Sequence, residues 1–199
     1  MLLTAHKVVS ALHGRVTRVG VVLPRRPITA GQTVLPVVGH AIKSDGSRWL
    51  HVMLPGRPNG SRGWIAQQST ALTTTRWHLV VRTSSRRVVA YRDGRVARSF
   101  TAIVGKPSTP TPLGQFFVEE SIQMRPSAPG APFALALSAR SNVLQEFEGG
   151  PGQIALHGLT NLGGTLGTAI SHGCIRLANA SIRWLAARIR PGVPVTIKQ

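Results

Sequence analysis

The sequence predicts a mainly β protein built in two blocks, and three observations carry that reading. Its 199 residues include 21 glycines and 14 prolines, a density of turn formers that argues against a helical bundle. Apolar residues make up 42% of the chain and aromatics only 5%, so a core is within reach and aliphatic side chains must build it. Those aliphatics fall mostly in short β-branched runs or alternate with polar residues, the pattern of strands. No self-similarity is visible at a period of roughly 20 to 50 residues, which sets aside solenoids and propellers. No apolar run approaches the roughly 18 to 20 residues that a membrane-spanning helix requires.

Taken in order, residues 1–22 scatter Lys7, Arg15 and Arg18 among Val and Leu. They lack the continuous apolar centre and small-residue cleavage site of a signal peptide, and this start could be disordered. Residues 34–43 and 48–54 read as strands on either side of the turn signal Ser44-Asp45-Gly46. Gly63-Trp64-Ile65 begins a third after the loop Pro55-Gly56-Arg57-Pro58-Asn59-Gly60. Short strands with a long Pro/Gly loop predict a small barrel. The polar stretch 69–76 is the candidate boundary, giving an N-terminal domain over 1–75 and a second over 76–199.

The second block opens with Trp77, Leu79 and Val81 alternating with His78, Val80 and Arg82, a half-buried strand. Tyr91-Arg92-Asp93-Gly94-Arg95 reads as a hairpin turn into residues 96–104, so antiparallel sheet is expected. Residues 107–112 read as an extended edge where proline needs no ladder hydrogen bond. The Pro-rich stretch 125–132 and the stretch 146–152 are either lids or ordinary surface loops. Near the end Ile182, Leu185, Ala186 and Ile189 recur at helical spacing, with Asn179 as cap and Pro191-Gly192 as stop. One amphipathic helix and a last strand over 193–197 follow. Arg188 and Arg190 fall in the helix's final turn, where the helix dipole accounts for them without a ligand.

Lys and Arg number 24 against 6 Asp and Glu, a formal charge of +18. Such a field favours polyanions, whether nucleic acid, acidic membrane or anionic wall polymer. No helix-turn-helix, zinc-finger or aromatic RNA-binding signature accompanies it, so no specific nucleic acid is expected.

The densest reactive cluster is Ser171-His172-Gly173-Cys174-Ile175-Arg176, with His157-Gly158 upstream across the Gly-rich connector 163–167. If 154–157 and 169–174 pair as antiparallel strands, His157 is brought toward Cys174, and His172 projects from the same face as Cys174. A thiol with a pKa near 8.5 needs a base or a stabilising cation to act as a nucleophile, and imidazole supplies either. None of the six acids, Asp45, Asp93, Glu119, Glu120, Glu146 and Glu148, lies between 157 and 176. A backbone carbonyl or the Ser171 hydroxyl would then fix the imidazole tautomer, and Gly173 would let N–H groups approach an oxyanion. Against this stand two plainer readings. A lone cysteine is commonly an inert small hydrophobe. Zinc would find only three ligands, His157, His172 and Cys174, with no evident fourth, so neither metal nor cofactor is expected.

These residues resemble a known family, the bacterial L,D-transpeptidases, whose catalytic domain is called YkuD. The motif, His-Gly, about fifteen residues, then Ser/Thr-His-Gly-Cys and Arg, is matched by His157-Gly158 and Ser171 to Arg176. Upstream, Gly105 and Thr111-Pro112-Leu113-Gly114-Gln115-Phe116 look like the family's Gly…Thr-Pro-x-Gly-x-Phe segment. The likeness covers residues 77–199, with one departure: Leu159 intervenes where relatives often carry threonine directly after His-Gly. The order Trp49, a Pro/Asn/Gly loop, then Gly63-Trp64-Ile65 resembles bacterial SH3-like domains.

The resemblance implies an SH3-like barrel followed by a catalytic β-sandwich, with Cys174 as nucleophile and His157 as proton acceptor and donor. Ser171, His172, Gly173, Arg176 and Gly158 would form the oxyanion or substrate-positioning set. The implied reaction is peptidoglycan crosslinking: a Cys174 thioester with a tetrapeptide stem, release of D-alanine, and transfer to an acceptor amine. Alternatives left open are water as acceptor (a carboxypeptidase), a protein lysine as acceptor, and a non-catalytic wall-binding protein. Sortases place their histidine much further upstream, and papain-type hydrolases place cysteine before histidine, so the order here disfavours both. Expected partners are peptidoglycan stem peptides and anionic wall polymers, and an extracytoplasmic or cell-wall location follows from the substrate.

Overall fold

The computed structural model describes residues 1–146 and 150–199. The first block holds β1 (His6–Val9), β2 (Arg18–Val22), β3 (Val37–Ile42), β4 (Arg48–Met53) and β5 (Arg62–Ala66), in the order β2-β1-β5-β4-β3. All neighbours are antiparallel. The strands read from residues 34–66 are present, but the start is not disordered. Residues 6–22 form β1 and β2 because Leu2 and Val8, 2% and 1% exposed, complete a small core with Leu35, Leu50, Val52 and Ile65. The apolar positions there are too sparse to show a period, yet each of the two is placed to be buried.

The second block comprises β6 (Trp77–Arg82), β7 (Arg87–Arg92), β8 (Arg95–Gly105), β9 (Gly114–Gln123), β10 (Phe133–Arg140), β11 (Gln153–His157), β12 (Ala169–Ser171), β13 (Ile175–Leu177), α1 (Asn179–Ala186) and β14 (Pro194–Lys198). Its order is β12-β8-β13-β11-β10-β9-β14-β6-β7, and β7 pairs also with β8. Where a two-sheet sandwich is expected, the hydrogen bonding runs on round the edge, so eight strands close a ring and β12 lies outside along β8. The eleven-residue β8 makes closure possible. Its first part pairs with β7, as in Ser99 with Val89, and its end pairs with β13, as in Ile103 with Arg176. Closure removes the unpaired strand edges that an open sheet would have to protect. At the β7–β8 hairpin Asp93 and Gly94 both take positive φ, 52° and 74°, as a two-residue turn matching the strand twist requires.

The core of this block is aliphatic, as the composition demands, with Leu79, Val81, Leu135, Leu137, Leu156 and Ile175 fully buried. The amphipathic helix α1 seats Ile182 and Leu185 in it and packs on β10 and β11. Its cap differs from expectation. Ala178 occupies the N-cap position with no side-chain cap bond, because the Asn179 side chain is drawn away to residues 159 and 160. Arg188 and Arg190 do donate to helix carbonyls, those of Trp184 and Ala186, each at 3.1 Å.

The two blocks share buried polar bonds. Glu119, on β9, lies between Arg26 of the first block and Arg140 of β10, the latter donating at 3.0 Å. Next to it, the Thr29 N–H and hydroxyl both donate to Glu120 Oε2, at 2.8 and 2.7 Å. Phe117 of β9 turns the other way, into the core of the first block. Glu119→Ala removes the shared anion and strands two largely buried guanidinium groups, a class of change that costs about 3–5 kcal/mol. Urea unfolding of the full chain is expected to show a loss of that size.

Candidate functional site

Strand alternation builds the site. On β11 and β13, Ile154, Leu156, Ile175 and Leu177 point into the core, each 2% exposed or less, and the residues between them face outward. His157, Cys174 and Arg176 therefore lie on the outer face of two neighbouring strands. The pairing is not the expected hairpin. β11 and β13 run parallel, with His157 opposite Arg176, and β12 pairs instead with β8. The Gly-rich connector after His157 thus serves a crossover rather than a tight turn, a topology that periodicity alone does not reveal. His172 shares the face with Cys174 as expected, although the chain bends between them at Gly173, whose φ is +116°.

His157, His172, Cys174 and Arg176 line one cavity of about 130 Å³. Its walls come from Ser141, Leu144, Gly152 and Gln153 on one side and from Pro129 and Leu162 on the other. Cys174 Sγ lies 3.9 Å from the Gln153 carbonyl oxygen. His157 Nδ1 lies 2.9 Å from the Gly158 carbonyl oxygen. A carbonyl can only accept, so Nδ1 carries the proton and Nε2 is the basic nitrogen. The tautomer-fixing group is thus a backbone carbonyl and not the Ser171 hydroxyl. Arg176 reaches across the crossover, donating to Gly163 O at 3.0 Å.

Three expected positioning residues face elsewhere. Ser171 is fully buried, its hydroxyl donating to Cys174 O at 2.6 Å and accepting from Gly173 N–H at 3.2 Å. It staples the bend instead of meeting a ligand, because the alternation that turns His172 outward turns Ser171 inward. The Gly173 N–H is therefore engaged by Ser171 Oγ. Gly158 is a packing residue: its N–H donates to Gly130 O at 2.7 Å, and a Cβ there would stand 2.0 Å from Ala131 O.

Other residues hold the site beyond the set the motif implies. Thr111, in the stretch read as an edge, accepts from Gly105 N–H at 2.9 Å and donates to Gly173 O at 2.8 Å. Thr109 donates to Ser171 O at 3.2 Å. Both threonines are buried, and the sequence hints at them through their setting between prolines and the family-like segment that opens at Thr111. Asn179 accepts from Leu159 N–H at 2.8 Å and donates to Thr160 Oγ1 at 2.9 Å, fixing the segment after His157 despite the intervening Leu159. Gly130, at φ +86°, passes so close to the imidazole that a Cβ would lie 2.7 Å from His157 Nδ1. The Pro-rich stretch 125–132 is thus packed on the site through Gly130 and Pro129. The reading of 146–152 as a second lid falls partly on residues 147–149, outside the described residues.

The class is defined by a closed β sheet that displays the Ser-His-Gly-Cys motif where a parallel strand begins, beside a histidine from its neighbour. The chain belongs to the L,D-transpeptidases: the family model for the L,D-transpeptidase catalytic domain, YkuD, matches residues 76–197. The Bacillus subtilis (strain 168) protein YkuD is 28% identical over 166 residues, covering 80% of this chain and 93% of its own. L,D-transpeptidase 1 of Mycobacterium tuberculosis (strain H37Rv) is 29% identical over 118 residues, covering 53% of this chain and 44% of its own. The solved structure of LD transpeptidase LdtMt1 in complex with imipenem shares the fold, with a TM-score of 0.50 at 18% identity, covering 85% of this chain and 96% of that one.

Replacing Thr111 by valine keeps its shape and leaves Gly105 N–H and Gly173 O without their buried partner, a loss of about 1–3 kcal/mol. The urea midpoint of Thr111→Val is expected to fall accordingly, with an unchanged slope.

Proposed function

We propose that the protein is a cysteine-dependent L,D-transpeptidase of the cell wall, with Cys174 as nucleophile and His157 as base. The observation that carries this reading is the convergence of His157, His172, Cys174 and Arg176 on one cavity. With Nδ1 donating to its own chain, His157 Nε2 takes the thiol proton. The thiolate attacks the carbonyl of the diamino acid in a peptidoglycan tetrapeptide stem, and a tetrahedral oxyanion forms. Collapse breaks the bond to the terminal D-alanine, whose amine leaves with the proton returned by His157. The resulting thioester is attacked by the amine of a second stem, again with His157 accepting the proton, which restores the thiol and completes a ping-pong transfer. His172 and Arg176, on the same face, position the acyl group, and the Arg176 guanidinium suits a stem carboxylate.

Residues 1–75 are proposed as an SH3-like domain and 76–199 as the catalytic domain. Anionic wall polymers are proposed as further partners, on the strength of the +18 charge. Action on peptidoglycan implies an extracytoplasmic site, and among the described residues no helix is long and apolar enough to cross a membrane.

Intact-mass spectrometry after incubation with a tetrapeptide stem is the test. The wild type gains the mass of the stem less D-alanine, and Cys174→Ala or His157→Ala loses the adduct by roughly a thousandfold or more. Undiminished adduct on either variant removes that residue's role. Muropeptide products of the same reaction assign the acceptor: a crosslinked dimer means an amine, and a tripeptide means water. Gly130→Ala, which pushes a methyl against His157, is expected to slow acylation at least about tenfold, measured as the rate of adduct growth.

A further inference from the structure

We infer that Arg57, a residue of the first block, is a positioning residue that sets one wall of the Cys174 cavity. This inference rests on the reading of that cavity as the donor site. Arg57 lies in the loop between β4 and β5 and reaches across to the chain segments that leave β10 and enter β11. Its Nη2 donates to Ser141 O at 2.8 Å and to Leu144 O at 3.0 Å, and its Nη1 donates to Pro151 O at 3.0 Å. One planar guanidinium therefore ties together both arms of the segment, 141–144 on one side and 150–153 on the other. Ser141, Leu144, Gly152 and Gln153 of those arms line the cavity, and Gln153 O is the oxygen nearest the Cys174 sulfur among the bonds described above.

The arms touch closely under the clamp. Ser141 N–H donates to Gly152 O at 2.8 Å, and Gly152, at φ +63°, leaves no room for a side chain: a Cβ would lie 2.1 Å from Leu144 O and 3.2 Å from Arg57 Nη2. Asn59 secures the same loop to the far end of β10, donating to Arg140 O at 2.7 Å and accepting from Arg140 N–H at 2.8 Å. The fork matters as well as the charge, because carbonyls on two separate arms must be met at once and a lysine ammonium is a point charge on a flexible stem. The first block thus contributes to donor recognition directly, beyond any role in attachment to the wall.

The test uses the full chain. Arg57→Ala is expected to speed hydrogen exchange at the amides of Ser141, Leu144 and Gly152 by about tenfold or more. It is expected to raise KM for the tetrapeptide stem by about tenfold while kcat changes far less, since the wall is displaced and the thiol is not. Alkylation of Cys174 by iodoacetamide, which needs no wall, stays at the wild-type rate. Methylguanidinium added to Arg57→Ala restores KM, and Arg57→Lys falls between the two. Thr29→Val, which removes one bond of the same block interface on the Glu120 side, keeps wild-type KM. Unchanged exchange in Arg57→Ala overturns the clamp, as does an equal rise of KM in Thr29→Val or the absence of rescue. If the wild type itself forms no thioester, the donor-site reading fails, and the exchange measurement still decides whether Arg57 holds the arms.

Discussion

The parallel pairing of β11 with β13, His157 opposite Arg176, is the constraint on which the site depends. Parallel strands in fixed register put the outward residues of each strand side by side, and a slip of one residue would send His157 or Cys174 into the core. The register is held by what the inward residues bury. Ile154, Leu156, Ile175 and Leu177 belong to a single aliphatic core, so a one-residue slip of either strand would expose that strand's two large side chains, each worth about 1.5–3 kcal/mol of burial. The stability of the core and the geometry of the motif are therefore one property seen from two faces of the same strands.

What the strands do not fix, short polar side chains fix by capturing backbone groups. Ser171, Thr109 and Thr111 take up the amides and carbonyls of the bend from 171 to 174, and Asn179 takes up those after His157. A chain that turns sharply inside a protein must have its N–H and C=O groups paired, and each of these side chains supplies what no ladder can. Glycine does the complementary work: at 130 and 158 it permits a backbone approach that any Cβ would block. The imidazole consequently sits between a carbonyl that fixes its proton and a glycine that leaves it just enough room.

Much of this was legible in the sequence, and the misses have physical causes. The strands from 37 to 66, the hairpin at Asp93-Gly94 and the amphipathic face of α1 follow from local patterns, which is where period and turn chemistry have their force. That His172 shares a face with Cys174 was legible because alternation along a short strand is local too, whereas placing His157 beside Cys174 rested on the assumed antiparallel pairing and Arg176 entered through the family resemblance. The hairpin assumed between 154–157 and 169–174 was wrong because pairing partners are chosen by tertiary burial, and eleven residues with four glycines fit a crossover as well as a loop. Ser171 lies inward because its parity on the strand is opposite to that of His172, a placement the motif by itself does not show. The roles of Thr111, Asn179 and Gly130 depend on contacts between segments distant in sequence, so the family-like segment marks Thr111 without showing its partners.

The charge completes the physical picture. Of the acids among the described residues, Glu119 and Glu120 are buried and engaged with Arg26, Arg140 and Thr29. Asp93 is paired with Arg76, which holds its carboxyl below the usual carboxylate range. Asp45 accepts from the Ser47 hydroxyl and N–H, with the same effect on its pKa. These four negative charges are thus either inside or tied to local donors, Glu146 is the one other described acid and is exposed, and the exterior carries an excess of arginine. Around the cavity that excess has a specific sense. A thiolate and the oxyanion that follows it in the proposed reaction are the species a positive field stabilises, and among the described residues no carboxylate lines the cavity with His157 and Cys174. A carboxylate third member would raise the basicity of the imidazole but would also set a negative charge beside a developing one. A neutral carbonyl orients His157 without that opposition, which fits the proposed reaction, whose nucleophile and intermediate are both anionic.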